Sequence, residues 1–323
     1  MSIEFSSKFA KNLSLPKHQQ SVSATITALA SAAEQISQLC ARGPLESAFG
    51  ALAGTANSDG DQQKALDVRT DEIITAALKT VPVAYYASEE QDDIITLDES
   101  QPLAVASDPL DGSSNIDTNV SIGTIFAVFP KAETAEASFL RVGTDQLCAG
   151  FFVYGPQTSL VITTGDGTEL YVLDRTDNVF KLAIAEMHIP EDAHEFAINA
   201  SNTRHWDASI RAYIEECQHG EAGPLGAKQN MRWIGSLVAD ANRILMRGGI
   251  FLYPEDDRNG YEHGRLRLLY EAAPVAFIIE QAGGSATDGH TRILEKSLKT
   301  LHQRIPFIFG SKNQVKRVMY HKR

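Results

Sequence analysis

Ser107-Asp108-Pro109-Leu110-Asp111-Gly112-Ser113-Ser114-Asn115 follows directly on Pro102-Leu103-Ala104-Val105-Ala106, an apolar run short enough to be a buried strand. Two carboxylates arrive three residues apart, with a proline between them to stiffen the backbone. Gly, two hydroxyl residues and Asn then supply the letters of a turn or a helix N-terminus. A strand that ends in carboxylates and runs into exposed N–H groups can hold divalent cations and an anion side by side. Phosphate esters with Mg²⁺ are the obvious guest, because Mg²⁺ takes a few carboxylates plus phosphate oxygens. A plain tight turn, in which Asp108 and Asp111 merely cap a helix, uses the same residue types. Against that stands a second acidic pair, Ser88-Glu89-Glu90, after another strand-like run, Val81-Pro82-Val83-Ala84-Tyr85-Tyr86-Ala87. Adjacent glutamates repel each other, and cations relieve the repulsion.

The 323 residues are enough for a large core and two lobes, and the composition is that of a globular chain. A net charge of −12 leaves no basic stripe to neutralise nucleic-acid phosphates. Cys40, Cys148 and Cys217 are widely spaced and form no zinc or disulfide pattern, which suits core thiols in a reducing cytosol. No apolar segment approaches 18 residues and no signal-like start is present, so a cytoplasmic chain without a membrane span is expected.

Residues 1–20 read as a polar, loosely held lead-in. Val22, Ile26, Leu29, Ala30, Ala33 and Ile36 have helical spacing. The Gly-, Ala- and Asp-rich stretch 43–66 reads as a mobile functional loop, followed by a helix carrying Ile73, Ile74, Ala77 and Leu78. Ser121 to Phe129 is strand-like, and 131–143 is expected to be helical. Runs at 149–154, 159–164, 169–174 and 179–184, separated by turns, predict an antiparallel meander. The texture changes near residue 190. Beyond it come a strand from Glu195 to Asn199, helices at 210–217 and 237–246, a strand from Ile250 to Pro254, and a charged loop over 255–264. A helix from Leu266 to 282 and a last strand at Phe307 complete an α/β pattern. Lobes at 1–190 and 191–323 follow from this.

Several stretches together resemble class I fructose-1,6-bisphosphatases, within the Mg²⁺-dependent, lithium-sensitive sugar phosphatases. They are Asp108 to Phe126, Gly60-Asp61-Gln62 with Leu66-Asp67-Val68, Ser88-Glu89-Glu90, Ile234 to Asp240, Gly248 to Pro254, and Leu266 to Glu271. The resemblance implies a mixed α/β fold, a layered α-β-α-β-α sandwich. It implies hydrolysis of the 1-phosphate of fructose 1,6-bisphosphate with two or more Mg²⁺, or Mn²⁺ or Zn²⁺ in their place. Metal ligation would come from Glu89, Asp108, Asp111 and Glu271, with the Leu110 carbonyl and Asp61. Glu90 and Asp67 match the pair that activates water. Gly112, Ser113 and Ser114 match the site of the reacting phosphate, where Asp111 also borders the substrate. Asn199, Arg232, Tyr253 and Arg265 match groups for the second phosphate and the sugar. In the family the Arg that Arg232 matches comes from a neighbouring subunit of a homotetramer. Tyr261 has no family counterpart and reads as a loop aromatic.

Departures from the family qualify this. Arg265 replaces a Lys, the 255–264 loop is slightly longer, and Asn202 stands where a phosphate-binding Tyr is common. These changes leave room for sedoheptulose 1,7-bisphosphate, alone or as a second substrate. An inositol monophosphatase would not need the second phosphate site, and a silent binding protein would not need the Glu90/Asp67 pair. The AMP-site residues of the family are replaced by His18-Gln19-Gln20-Ser21-Val22-Ser23, Pro102-Leu103 and Pro130, so loss of AMP control is expected.

Overall fold

The computed structural model describes residues 2–11, 13, 15–43, 52–56 and 62–321, with the backbone alone for 52–56 and 62–65. The first half runs α1 (Gln19–Arg42), β1 (Leu52–Ala56), β2 (Gln62–Lys64), α2 (Ala65–Leu78), β3 (Val83–Ser88), β4 (Ile95–Thr96), β5 (Leu103–Asp111), β6 (Ile122–Pro130) and α3 (Ala135–Phe139). The meander follows as β7 (Cys148–Tyr154), β8 (Thr158–Thr163), β9 (Thr168–Asp174) and β10 (Val179–Ile184). Then come β11 (Glu195–Ala197), α4 (Ala208–His219), β12 (Asn230–Met231), α5 (Leu237–Arg247), β13 (Ile250–Tyr253) and β14 (Leu266–Arg267). The chain closes with α6 (Ala273–Gln281), β15 (Ser285–Thr287), β16 (Arg304–Ile305), β17 (Phe307–Gly310) and α7 (Lys312–His321).

Two larger sheets alternate with helical layers. The first has the order β10-β9-β8-β7-β6-β5-β3-β4 and is antiparallel except where β3 meets β5. The second has the order β12-β11-β13-β17-β15. Side chains alternate across a strand, so each strand feeds two cores. Leu103 and Val105 of β5 pack with Val22, Ile26 and Leu29 of α1, whereas Ala104 and Ala106 face the opposite core with α5 and α6. In β13 and β17 the same alternation sends Phe251, Phe307 and Phe309 to that central core. It sends Ile250, Leu252 and Ile308 to a third core against α4 and α7. Five layers result, helix-sheet-helix-sheet-helix, as the resemblance implied.

Some local expectations fail for tertiary reasons. The first residues are not loose. Phe180 exchanges backbone hydrogen bonds with Ser2 and Glu4, and Ile3, Phe9, Ala10 and Leu13 are buried. An exposed sheet edge offers unpaired N–H and C=O groups, and this segment takes them on β10. The 131–143 helix shrinks to five residues, capped by Thr134. The helix expected from Leu266 instead starts with strand β14, then a π-helical turn at Leu268–Ala272, then α6. Of the expected 43–66 loop, residues 44–51 and 57–61 lie outside the described residues, whereas 52–56 and 62–64 pair as the antiparallel strands β1 and β2, and α2 already begins at Ala65.

Candidate active site

In an uninterrupted strand, residues three apart point to opposite faces. Asp108 and Asp111 escape this because β5 carries an irregularity between them: Asp108 pairs with Ile125, but Asp111 pairs with Gly123. One extra residue on β5 turns the second carboxylate back to the side of the first. Pro109 has no N–H to give the ladder, and its carbonyl instead accepts from Thr124 Oγ1 at 2.8 Å. Gly112 then takes the left-handed conformation (φ +79°), where a Cβ would lie 3.0 Å from Ser236 Oγ. A short 3-10 helix opens at Ser113.

Glu271 completes the cluster from the second half of the chain. The π-helical turn is closed by Ala273 N–H donating to the Leu268 carbonyl, one residue wider than an α-turn. Carboxylate oxygens of Asp108, Asp111 and Glu271 all lie within 4.8 Å of one another, and the three residues are 5%, 6% and 6% exposed. Burial, then the nearby Glu89 charge, pushes Asp108 and Glu271 well above the usual carboxylate range. Asp111 is pushed up to about 6, chiefly by burial. It is held lower by Val238 N–H at 2.9 Å and Ser236 Oγ at 3.2 Å. Asp111 therefore caps α5 from another element, and the Ser236 hydroxyl serves Asp111 rather than its own helix. Three buried carboxyls in contact cannot all ionise without positive charge between them. An all-oxygen acidic set of this kind suits a hard divalent cation.

Glu89 sits at the rim of this cluster. Its Oε1 pairs with Arg267 Nη1 at 3.1 Å, both side chains being nearly buried. The Arg267 backbone N–H donates to Glu271 Oε2 at 2.6 Å. Glu90 is half-buried and its N–H donates to Ser88 Oγ. Asp67 is buried in the first turn of α2. One turn on, Asp71 accepts from the Tyr86 hydroxyl at 3.0 Å and from Gln91 Nε2 at 2.9 Å, and Ser107 Oγ lies 2.7 Å from that hydroxyl. These bonds tie α2 to the strand ends that carry Glu89 and Asp108. Asp61 lies outside the described residues.

The candidate residues for a second phosphate gather at one end of the smaller sheet. Tyr253 ends β13, and its phenol is raised by burial while the charges of Arg265 and Glu271 both reach it. Trp233 stacks on Phe251 (5.4 Å) and tilts against Tyr253 (5.9 Å), whereas its exposed neighbour Arg232 directs its charge to Glu195. Asn199 follows β11 and caps the next 3-10 turn through Ser201 N–H. Arg265 is exposed and rests on the Tyr261 ring. Ser236, Arg267 and Asp71 were not singled out from the sequence. A Ser before an amphipathic helix and an Arg inside an apolar run were the signals available.

Two family models cover almost the whole chain. "Fructose-1-6-bisphosphatase, N-terminal domain" matches residues 7–184 and "Fructose-1-6-bisphosphatase, C-terminal domain" matches 189–322. A class 1 fructose-1,6-bisphosphatase of Nitrobacter hamburgensis is 57% identical over 300 residues, 93% of this chain and 87% of the relative. One from Paracoccus denitrificans is 58% identical over 266 residues, covering 82% and 81%. The holo crystal structure of Leishmania major fructose-1,6-bisphosphatase superimposes with a TM-score of 0.89 at 35% identity, covering 96% of each chain.

Proposed function

The chain belongs to the class 1 fructose-1,6-bisphosphatase family, and on that premise we propose that it hydrolyses the 1-phosphate of D-fructose 1,6-bisphosphate in a Mg²⁺-dependent reaction. The products are fructose 6-phosphate and inorganic phosphate. The observation that carries the reading is the buried meeting of Asp108, Asp111 and Glu271 beside a left-handed glycine and two serines. Those three, with Glu89, the Leu110 carbonyl and Asp61, would hold the cations. When bound, Mg²⁺ would neutralise the phosphate oxygens and stabilise charge on the reacting group.

The protein's own groups do the rest. Backbone N–H groups of Gly112, Ser113 and Ser114, with the Ser113 hydroxyl, hold the reacting phosphoryl oxygens. Glu90, oriented with Asp67, takes the proton of the attacking water. Tyr253, Asn199, Arg265 and Arg232 hold the sugar and the distal phosphate. The last of these would come from a neighbouring subunit of a homotetramer, and its exposure on one chain supports that. Lobes dividing near residue 190 would place Glu271 in one and the Asp108 motif in the other. A cytoplasmic setting suits three unpaired cysteines, and among the described residues no helix is long and apolar enough to cross a membrane.

Loss of AMP control belongs to the same reading. His18 opens α1 without a side-chain cap, and Pro130, opposite Leu103, offers no N–H. Strong inhibition by micromolar AMP would overturn it. Arg265 and the 255–264 loop leave room for a second substrate, sedoheptulose 1,7-bisphosphate. Phosphate release from both sugars, with Mg²⁺ and with chelator, tests the whole. Mg²⁺-dependent release from fructose 1,6-bisphosphate is expected, and no release from either sugar refutes catalysis. Strong preference for the fructose substrate suits a gluconeogenic role, and comparable rates suit a carbon-fixation cycle.

A further inference from the structure

The loop 255–264 is organised around one aromatic ring. The Arg258 guanidinium lies 4.2 Å from the centre of Tyr261 and the Arg265 guanidinium 4.8 Å from the same centre. The two cations differ in what else they touch. Arg258 is forked onto Asp256, with Nε donating to Oδ1 at 2.9 Å and Nη2 to Oδ2. Its charge is thereby neutralised by a carboxylate whose side chain is 5% exposed. Among the described residues, no carboxylate forms an ion pair with Arg265; the ring of Tyr261 is what holds it.

The distinction has a chemical consequence. A carboxylate that fixes a guanidinium also cancels its attraction for an anion. An aromatic face fixes the guanidinium and leaves its charge and its outward N–H groups available. The ring itself is well placed to do this. Tyr261 N–H donates to the Arg258 carbonyl, and the Tyr261 carbonyl accepts from both Asp256 N–H and Gly264 N–H. Gly264 has φ +77° and passes so close to Ile305 and Pro306 that a Cβ there would lie 2.4 Å from their backbone. Asp257 links the loop to the preceding 3-10 turn through His205 Nδ1 at 2.7 Å. The loop is thus braced on several sides, with the ring presented to Arg265.

We propose that Tyr261 is a positioning residue: it pre-orients Arg265 for the distal phosphate of the sugar bisphosphate while leaving the guanidinium charge unquenched. Arg258, locked on Asp256, steadies the ring and does not bind substrate. This rests on the reading that Arg265 faces that phosphate. It adds that the stack within this loop sets affinity at the non-reacting end of the substrate.

The test compares wild type, Tyr261→Ala, Tyr261→Phe and Arg258→Ala by steady-state kinetics on fructose 1,6-bisphosphate. Inhibition by fructose 6-phosphate and by inorganic phosphate is measured alongside. Tyr261→Ala should raise KM about fivefold, from loss of an exposed cation–π contact, with kcat little changed. Inhibition by fructose 6-phosphate should weaken by the same factor, whereas inhibition by inorganic phosphate at the reacting end should not change. Tyr261→Phe keeps the stack and should behave as wild type. Arg258→Ala should give a smaller KM change of the same sign, and it remains informative if Tyr261→Ala does not fold. Unchanged KM in folded Tyr261→Ala overturns the proposal, as does a fall in kcat with altered inhibition by inorganic phosphate. An inactive wild type would instead refute the proposed function, so the two failures are distinct.

Discussion

Replacing Arg267 by Met removes a guanidinium beside the acidic cluster while keeping an apolar stem of similar length. Arg267 and Glu89 are 7% and 14% exposed and 3.1 Å apart. Breaking such a buried pair leaves an uncompensated charge and costs about 3 kcal/mol, the low end of the usual range. The carboxylate left behind still faces Asp108 and Glu271, whose protonation its charge already promotes. For 323 residues melting as one unit, an unfolding entropy of about 0.7 kcal/mol/K converts this to a fall in Tm of about 4 °C. That figure applies to protein in chelator. Mg²⁺ should behave differently in the two proteins. The variant has lost a fixed positive charge that a divalent cation can replace, so its Tm should rise more on Mg²⁺ addition, by about 2 °C beyond the wild-type shift. Differential scanning calorimetry with and without Mg²⁺ reads both quantities. An apo Tm within 1 °C of wild type would limit the pair to less than about 0.7 kcal/mol and refute the figure of about 3 kcal/mol. Equal Mg²⁺ shifts would refute the view that Arg267 stands in for part of the cation charge.

Glu90→Gln should lower kcat by about 10² to 10⁴ with KM changed little, the mark of a lost general base. Asp67→Ala should likewise cut turnover more than substrate binding, and an unchanged rate would reject its role with Glu90. Far from the site, Glu216 on α4 accepts Arg317 Nη2 at 2.6 Å and Nε at 2.9 Å from α7, and Arg317 is the main reason its carboxyl lies below the usual range. The folded pKa is therefore lower than the unfolded one of about 4.3, so this stabilisation is complete above that pH and is lost as pH falls through the folded value. Glu216→Gln should cost about 1 kcal/mol at pH 7, discounted for the partly exposed Arg317. Urea midpoints should show the wild-type advantage shrinking at pH 3.5, and a constant difference would count against the pairing.

Much of the fold was open to reading along the chain because it depends on local period and chemistry. The alternation in Leu103 to Ala106, the helical spacing from Val22 to Ile36 and the turns of the meander each need only neighbouring residues. Asp108 and Asp111 stood out from a plain turn because a second acidic pair, Glu89-Glu90, also follows a strand-like run. The helix α7, by contrast, leaves little pattern in the sequence. Its short polar sequence buries only Val315 and Val318, and packing on α4 decides its place.

The sequence by itself determined the longer strands, the principal helices and the acidic pairs at the strand ends, since each follows from a local pattern, and its motifs together carried the family resemblance. The tertiary structure alone decided how those residues meet. Counted along a regular strand, Asp108 and Asp111 point apart, and the irregularity opposite Gly123 and Ile125 reunites them. Glu271 reaches them from a widened turn where the pattern predicted plain helix. Asp111 caps a helix it is not part of, and Tyr261 holds an arginine without neutralising it. Electrostatic and packing energies depend on separation in space and on exclusion of water, and neither quantity is a function of distance along the chain.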